Sequence, residues 1–389
     1  MRRHALVLTA ALALAACAPA SEEVEPALMV QGPQGSLATL DSAGMITDLL
    51  EEGAGKVALQ PTWGPGGEAA WTELSGSDAE VAILREGEVN RYPSGHSPFY
   101  YAWSPDGERL VHLGSTVPGV IDLTLVNVDG GGERALDQGG PYYFDWAPSS
   151  DRLLANIQSS RLALVDVDGN ATDLAVAVAP FQAPEWVGDH EAVVVIRRAD
   201  SGTAGLGEAA AAQLEVDVLA VIADDGSIVR ELATLRGSAA FTVDPQQERV
   251  AYTDTVGRRS YSLGPLYVVP LAGGEPEQIS EDRVIAHQWS PNGRRLLYMT
   301  FVEDIAGLAP HVWEDGVQTQ FEAFVPTQTF AQNYLPFWDQ YTRSLSLWAP
   351  DSESFVYPSV DGVKTQKMGD DSPEILAEGE FATWSVAAG

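Results

Sequence analysis

One five-residue phrase recurs along the chain: Trp103-Ser104-Pro105-Asp106-Gly107, Trp289-Ser290-Pro291-Asn292-Gly293, Trp348-Ala349-Pro350-Asp351-Ser352, Trp146-Ala147-Pro148-Ser149-Ser150 and Trp63-Gly64-Pro65-Gly66-Gly67. Each copy leads into a short apolar run, such as Arg109-Leu110-Val111-His112-Leu113, so the unit reads strand, tight turn, strand. In Ser-Pro-Asp-Gly the proline fixes φ at the second turn position, Asp tolerates the third and Gly relaxes the exit, the preferred filling of a type I turn. The Trp that ends the first strand has the bulk to wedge between neighbouring sheets, worth about 2–3 kcal/mol when buried. An exposed, ligand-binding Trp is the alternative reading.

The landmarks Trp63, Trp103, Trp146, Trp186, Val243, Trp289, Trp348 and Trp384 are spaced by 40, 43, 40, 57, 46, 59 and 36 residues. A unit near 40 residues fits a four-stranded propeller blade. The second half of each unit agrees. Leu123-Thr124-Leu125-Val126-Asn127-Val128-Asp129-Gly130 and Leu162-Ala163-Leu164-Val165-Asp166-Val167-Asp168-Gly169 run apolar into Asp-Gly, a strong hairpin signal. The chain after residue 26 opens with three strand-like runs, at 28–31, 36–40 and 46–50, and ends on a lone first strand, Phe381-Ala382-Thr383-Trp384. The prediction is an all-β propeller of four-stranded blades over residues 27–389, closed by the C-terminal strand pairing with the N-terminal strands. The count is eight blades, or seven if the wide 186–243 or 289–348 interval hides a different partition.

These repeats resemble the WD-like propeller repeats of the TolB C-terminal domain and of the propellers attached to prolyl oligopeptidase-type enzymes. The resemblance covers nearly all of the chain after Pro26. It implies a fold and little about function. A separate TolB-like N-terminal domain is not expected, because only a short polar segment precedes the first strand.

The start reads as a leader: Met1-Arg2-Arg3, an apolar stretch from Ala5 to Ala16 too short to span a bilayer, then Leu14-Ala15-Ala16-Cys17. This spelling is similar to the bacterial lipobox, which implies a signal peptide at 1–16 and lipidation of Cys17, the only cysteine. Residues 17–26, small, acidic and proline-bearing, read as a flexible tether. The expected location is extracytoplasmic, lipid-anchored to the bacterial cell membrane or outer membrane. The formal charge of −33 disfavours nucleic acid as a partner and suits solubility or a basic partner.

Function is expected on one face. Strand alternation gathers the tight Ser-Pro-Asp-Gly and Asp-Gly turns on one side of the disc and the long insertions, 198–215, 254–265, 302–310 and 321–345, on the other. The aromatic candidates for partner or ligand binding lie there: Phe99, Tyr100, Tyr142, Tyr143 and Phe181 before first strands, and Tyr334, Phe337, Trp338, Asp339 and Tyr341 in the largest insertion. Plugging the channel or stapling the loop is the alternative use of those rings, and alternation requires that some, such as Tyr101 beside Trp103, be core. The stretch 202–212 mixes glycines with helix formers and suggests a partly helical flap.

No Gly-x-Ser-x-Gly, His-Glu-x-x-His or phosphate-loop motif occurs. The histidines are scattered, and only His96 and His287, near the ends of first strands, could meet a metal at the channel mouth. Asp166-Val167-Asp168-Gly169-Asn170 resembles the start of a calcium loop but has Ala171 and Ala177 where that loop needs Gly and Glu, so a hairpin turn explains it better. The expectation is therefore no catalysis, no cofactor and no metal. The protein would be a binding scaffold for an envelope protein, with carbohydrate or small-ligand capture at the channel mouth as the alternative and a propeller hydrolase or lyase as the next.

Overall fold

The computed structural model describes residues 25–129, 132–199, 215–257 and 263–386. The leader, Cys17, most of the tether and the 202–212 stretch lie outside the described residues.

Antiparallel sheets follow one another in chain order, four of them beginning at a Trp-bearing strand. The Trp63 sheet runs Val57–Trp63, Ala69–Ser75, Asp78–Arg85 and Glu88–Ser94, and the Trp103 sheet runs Tyr100–Trp103, Arg109–Val117, Val120–Asn127 and Glu133–Gly139. The Trp146 and Trp186 sheets repeat the four-strand meander. Next comes a seven-stranded sheet, in which the 13-residue strand Glu277–Trp289 finishes the group begun by Phe241–Val243 and starts the one that ends at Val317–Gln320. The 186–243 interval is wide because Glu191–Ala199 and Glu215–Ala223 pair along their full length on either side of the insertion. The C-terminal strand Phe381–Trp384 lies antiparallel to Ala27–Gln31, with Leu28 opposite Trp384 and Gln31 opposite Phe381.

The Trp348 repeat departs from expectation. Its first strand is reduced to a single bridge, Trp348 to Phe355, ahead of the three-stranded sheet Ser354–Ser359, Gly362–Lys367 and Glu374–Ala377. The reason is local: Ser346 turns its hydroxyl back to the Trp348 carbonyl at 2.8 Å, and its own carbonyl accepts the Trp384 amide of the neighbouring sheet at 2.8 Å.

The repeated phrase does what its chemistry predicts. In both full copies a 1–4 turn closes, Gly107 N to Ser104 O at 2.9 Å and Gly293 N to Ser290 O at 2.7 Å, with the closing glycines at φ of 70° and 65°. The landmark tryptophans Trp63, Trp103, Trp146, Trp186, Trp289 and Trp348 are buried. Except at Trp103, the indoles also join sheets. Trp63 Nε1 donates to Thr383 O, Trp146 to Ala102 O, Trp186 to Asp145 O, Trp289 to Thr242 O and Trp348 to Gln288 O, at 3.0–3.3 Å. Every acceptor is the residue just before the landmark of the preceding repeat, so the tryptophan is a wedge with a fixed polar handle. Asp166 accepts the Asp168 and Asn170 amides at 3.0 and 2.8 Å, which is a hairpin turn.

Strand alternation sorts side chains into separate layers between sheets. Tyr101 and Trp103 share one apolar layer with Val81 and Leu110, while Tyr100 and Ala102 face the next with Phe144 and Trp146. That second layer extends into the 321–345 insertion, whose Phe330, Tyr334, Trp338 and Tyr341 belong to the same core.

Candidate functional site

The insertion folds inward as three consecutive short turns, Phe330–Tyr334, Leu335–Phe337 and Trp338–Tyr341. Its rings pack against the first strands: Tyr334 stacks on Phe381 with centroids 3.9 Å apart and planes within 4°, and Tyr341 meets Tyr100 edge-on at 5.2 Å. Polar groups then reach one first strand after another. Trp338 Nε1 donates to His287 O at 3.1 Å, Thr62 donates its hydroxyl to Ser344 O at 2.9 Å, and Gln288 Nε2 donates to Leu345 O at 2.7 Å. Gln340 accepts the Phe144 amide and donates to the Phe144 carbonyl and the Tyr100 hydroxyl, at 2.8–2.9 Å.

At the centre, Arg343 pairs with Glu185 at 3.0 Å and donates to Phe241 O at 3.2 Å and Ala183 O at 3.4 Å. Asp339 accepts the Ala183 amide at 3.2 Å. Burial pushes the Asp145 and Asp339 carboxyls upward and Glu185 up to about 7, each partly offset by the charge of Arg343, which is ion-paired with Glu185. Burial also holds His287 down to about 4, a neutral ring bonded to Ala251 O at 3.3 Å. On the tight-turn side of this hub lie cavities of about 570 and 240 Å³, both lined by Thr342, Arg343 and Leu345.

On the long-loop side the insertion leaves a cavity of about 360 Å³ against the Trp103 and Trp146 sheets. Phe99, Tyr100, Tyr142, Tyr143, Phe337 and Tyr341 line it, six of the ten candidates named from sequence. Phe99 and Phe337 are 38 % and 46 % exposed and form its rim, while the four tyrosines are buried. Gln60, Gln332, Asn333 and Gln340 contribute amides to the lining. The Tyr341 hydroxyl lies 2.8 Å from Gln60 Oε1, and the Tyr142 hydroxyl 3.3 Å from Asp137 Oδ2. A bowl of aromatic faces and neutral amides suits an apolar or ring-shaped group with hydrogen-bonding edges.

The other four candidates lie elsewhere. Tyr334 is buried on Phe381, Trp338 beneath His287, and Asp339 half-buried at Ala183. Phe181 is half-buried with φ of 54°. Sequence reading missed Gln60 and Glu185. Gln60 stands at φ of 55° in a register shift between Leu59 and Thr62, and the following Pro61 was its only signal, since proline inside a strand marks a bulge or an edge. Glu185 had none. Among the described residues no group of three or more His, Cys, Asp or Glu is placed to hold a metal ion, and no helix is long and apolar enough to cross a membrane.

The architecture is that of a β-propeller. Among solved structures, the chain is similar to a crystal structure of the eukaryotic initiation factor, at 10 % identity over 94 % of this chain and 99 % of that one, with a TM-score of 0.57. It is similar to the β-propeller domain of the Trilobed protease from Pyrococcus furiosus, at 12 % identity over 84 % and 99 %, TM-score 0.50. TolB from Acinetobacter baumannii aligns at 13 % identity over 76 % of this chain and 62 % of that chain, TM-score 0.42. At these identities the likeness is one of fold alone. No protein-family model matches the chain. No curated protein matches it.

Proposed function

We propose that the protein is a non-catalytic scaffold, held outside the cytoplasm by a lipid on Cys17, whose eight blades close into a ring and bind an envelope protein through the long-loop face. The pairing of Phe381–Trp384 with Ala27–Gln31 supports the closed ring, and the leader spelling supports the anchor. The observation that carries the binding reading is the aromatic cavity, with Phe99 and Phe337 on its rim and buried tyrosines behind them. Partly exposed rings around a preformed pocket are how protein hot spots are built, the pocket receiving one bulky side chain of the partner.

The test is photo-crosslinking from position 337 in intact cells, followed by affinity capture with wild type and with Phe99→Ala/Phe337→Ala. A partner recovered by wild type and lost by the variant supports the reading; no crosslinked partner, or equal recovery by both, rejects it.

The amides of Gln60, Gln332 and Asn333 around the tyrosines favour a second reading, capture of a sugar ring by stacking and amide hydrogen bonds. A glycan array without a Phe337-dependent hit removes it.

A further inference from the structure

The aromatic cavity continues past the insertion. Gln332 and Asn333, both exposed, line it on one side and on their other side line a groove of about 970 Å³. The groove runs between the Gln31–Gln34 loop, the hairpin at Ser359–Gly362 and the segment leading into the C-terminal strand. Three features define its chemistry. Primary amides recur along it, from Gln31, Gln34, Gln328, Gln332 and Asn333, and Gln31 Oε1 is buried without a hydrogen-bond partner among the described residues. Val360 and Ile375, each 62 % exposed, supply bare apolar surface. Its charged lining residues, Asp361, Glu378 and Glu380, are all acidic, and no Lys, Arg or His lines it among the described residues. Asp361 is matched by Lys364 at 3.4 Å, and the Glu380 carboxylate accepts the Thr329 hydroxyl at 3.3 Å.

We propose that the groove receives an extended, basic segment of a partner polypeptide, anchored by one bulky apolar side chain in the aromatic cavity. The inference rests on the protein-binding reading above and names the partner's chemistry. Each amide side chain has one donor group and one acceptor, the complement of a peptide unit, and an extended peptide needs such pairing along its length. The Gln31, Gln34 and Gln328 nitrogens already donate to Ala58 O, Glu52 and Gln332 Oε1, which leaves their oxygens, Asn333 and the Gln332 nitrogen to face the peptide. Alternate side chains of that segment fall on Val360 and Ile375, surfaces that offer a neutral glycan no hydrogen bond. Lysine or arginine beside Glu378 and Glu380 meets charge of opposite sign on a chain already at −33, which speeds encounter and rejects acidic competitors.

The experiment is fluorescence anisotropy on the full chain with short labelled Gln/Ser peptides: one with a central Trp and Lys flanks, its Glu-flanked version, and its Ala-centred version. The Lys-flanked Trp peptide should bind about tenfold tighter than the Glu-flanked one, with the gap shrinking as salt rises. Glu378→Gln should narrow that gap, and Phe337→Ala should remove the advantage of Trp over Ala; both side chains are exposed, and thermal melts check the fold. If the two Trp peptides bind equally well and better than the Ala peptide, this inference is overturned while the anchor pocket stands. If no peptide binds while a neutral oligosaccharide does, it is overturned in favour of a sugar. If the Trp and Ala peptides bind alike and capture is unaffected by Phe337→Ala, both readings fall.

Discussion

Arg343, near the end of the central insertion, holds Glu185 of a first strand at 3.0 Å, with side chains only 6 % and 16 % exposed. The same guanidinium reaches the Ala183 carbonyl, two residues before Glu185, and the Phe241 carbonyl, so one residue ties the insertion to two first strands. Truncating one partner of such a pair leaves the other desolvated. Arg343→Met should lower unfolding stability by about 3 kcal/mol at pH 8, where Glu185 loses its counter-charge and must be buried unpaired or take up a proton on folding, and by less at pH 5, where the native state already holds that proton. Urea unfolding at the two pH values checks this, and equal losses below about 1 kcal/mol would show the pair to be idle.

Glu185 should also give the protein a stability that falls toward neutral pH. Its folded pKa, near 7, stands above the unfolded value of 4.5, so the native state keeps a proton that the unfolded chain releases. That contribution is complete below pH 4.5 and is lost as pH rises to about 7, amounting to roughly 3 kcal/mol. His287, lowered to about 4, acts with the opposite sign between there and 6.5, so the comparison must be internal. Melting wild type and Glu185→Gln from pH 5 to 8 should show the wild type losing more; parallel curves would contradict the shift.

The tryptophans offer a matched comparison. Trp146 Nε1 donates to Ala102 O at 3.2 Å, whereas Trp103 Nε1 is buried without a partner among the described residues. Trp146→Phe should therefore cost about 1 kcal/mol more than Trp103→Phe, because only the former strands a carbonyl. Chemical denaturation of the two variants decides it, and the reverse order would mean that bulk alone matters.

Phe337 and Tyr334 are three residues apart and should behave oppositely. Phe337→Ala, at the exposed rim, should leave the melting temperature within error while weakening partner capture. Tyr334→Ala removes a fully buried ring stacked on Phe381 and should cost about 3–5 kcal/mol. Differential scanning calorimetry separates them; a stable Tyr334→Ala protein would show that the insertion does not hold the centre together.

Much of the scaffold was legible before any coordinates. Trp-Ser-Pro-Asp-Gly spells a strand end and a turn, Asp-Gly spells a hairpin, and both rest on neighbours a few residues apart. The lone strand at Phe381 had no partner nearby and matched the missing strand beside Leu28, so even that long-range pairing followed from counting repeats. Four of the six candidates that share one cavity, Phe99, Tyr100, Tyr142 and Tyr143, sit where first strands begin, a position the repeat itself defines, and Phe337 and Tyr341 reach it from the insertion.

What the sequence by itself determined, then, was the repeating part: strands, turns, the wedge tryptophans and the pairing of the two ends. Tertiary structure alone decided that residues 321–345 turn inward, that Tyr334 and Trp338 serve the core while Phe337 stays outside, and that Arg343 finds Glu185. Periodic patterning reports contacts between neighbours in the chain or between equivalent positions of successive units. The centre of the molecule is filled by a segment that occurs once, and its partners come from first strands scattered along the chain, so no local spacing records which ring or charge each one meets.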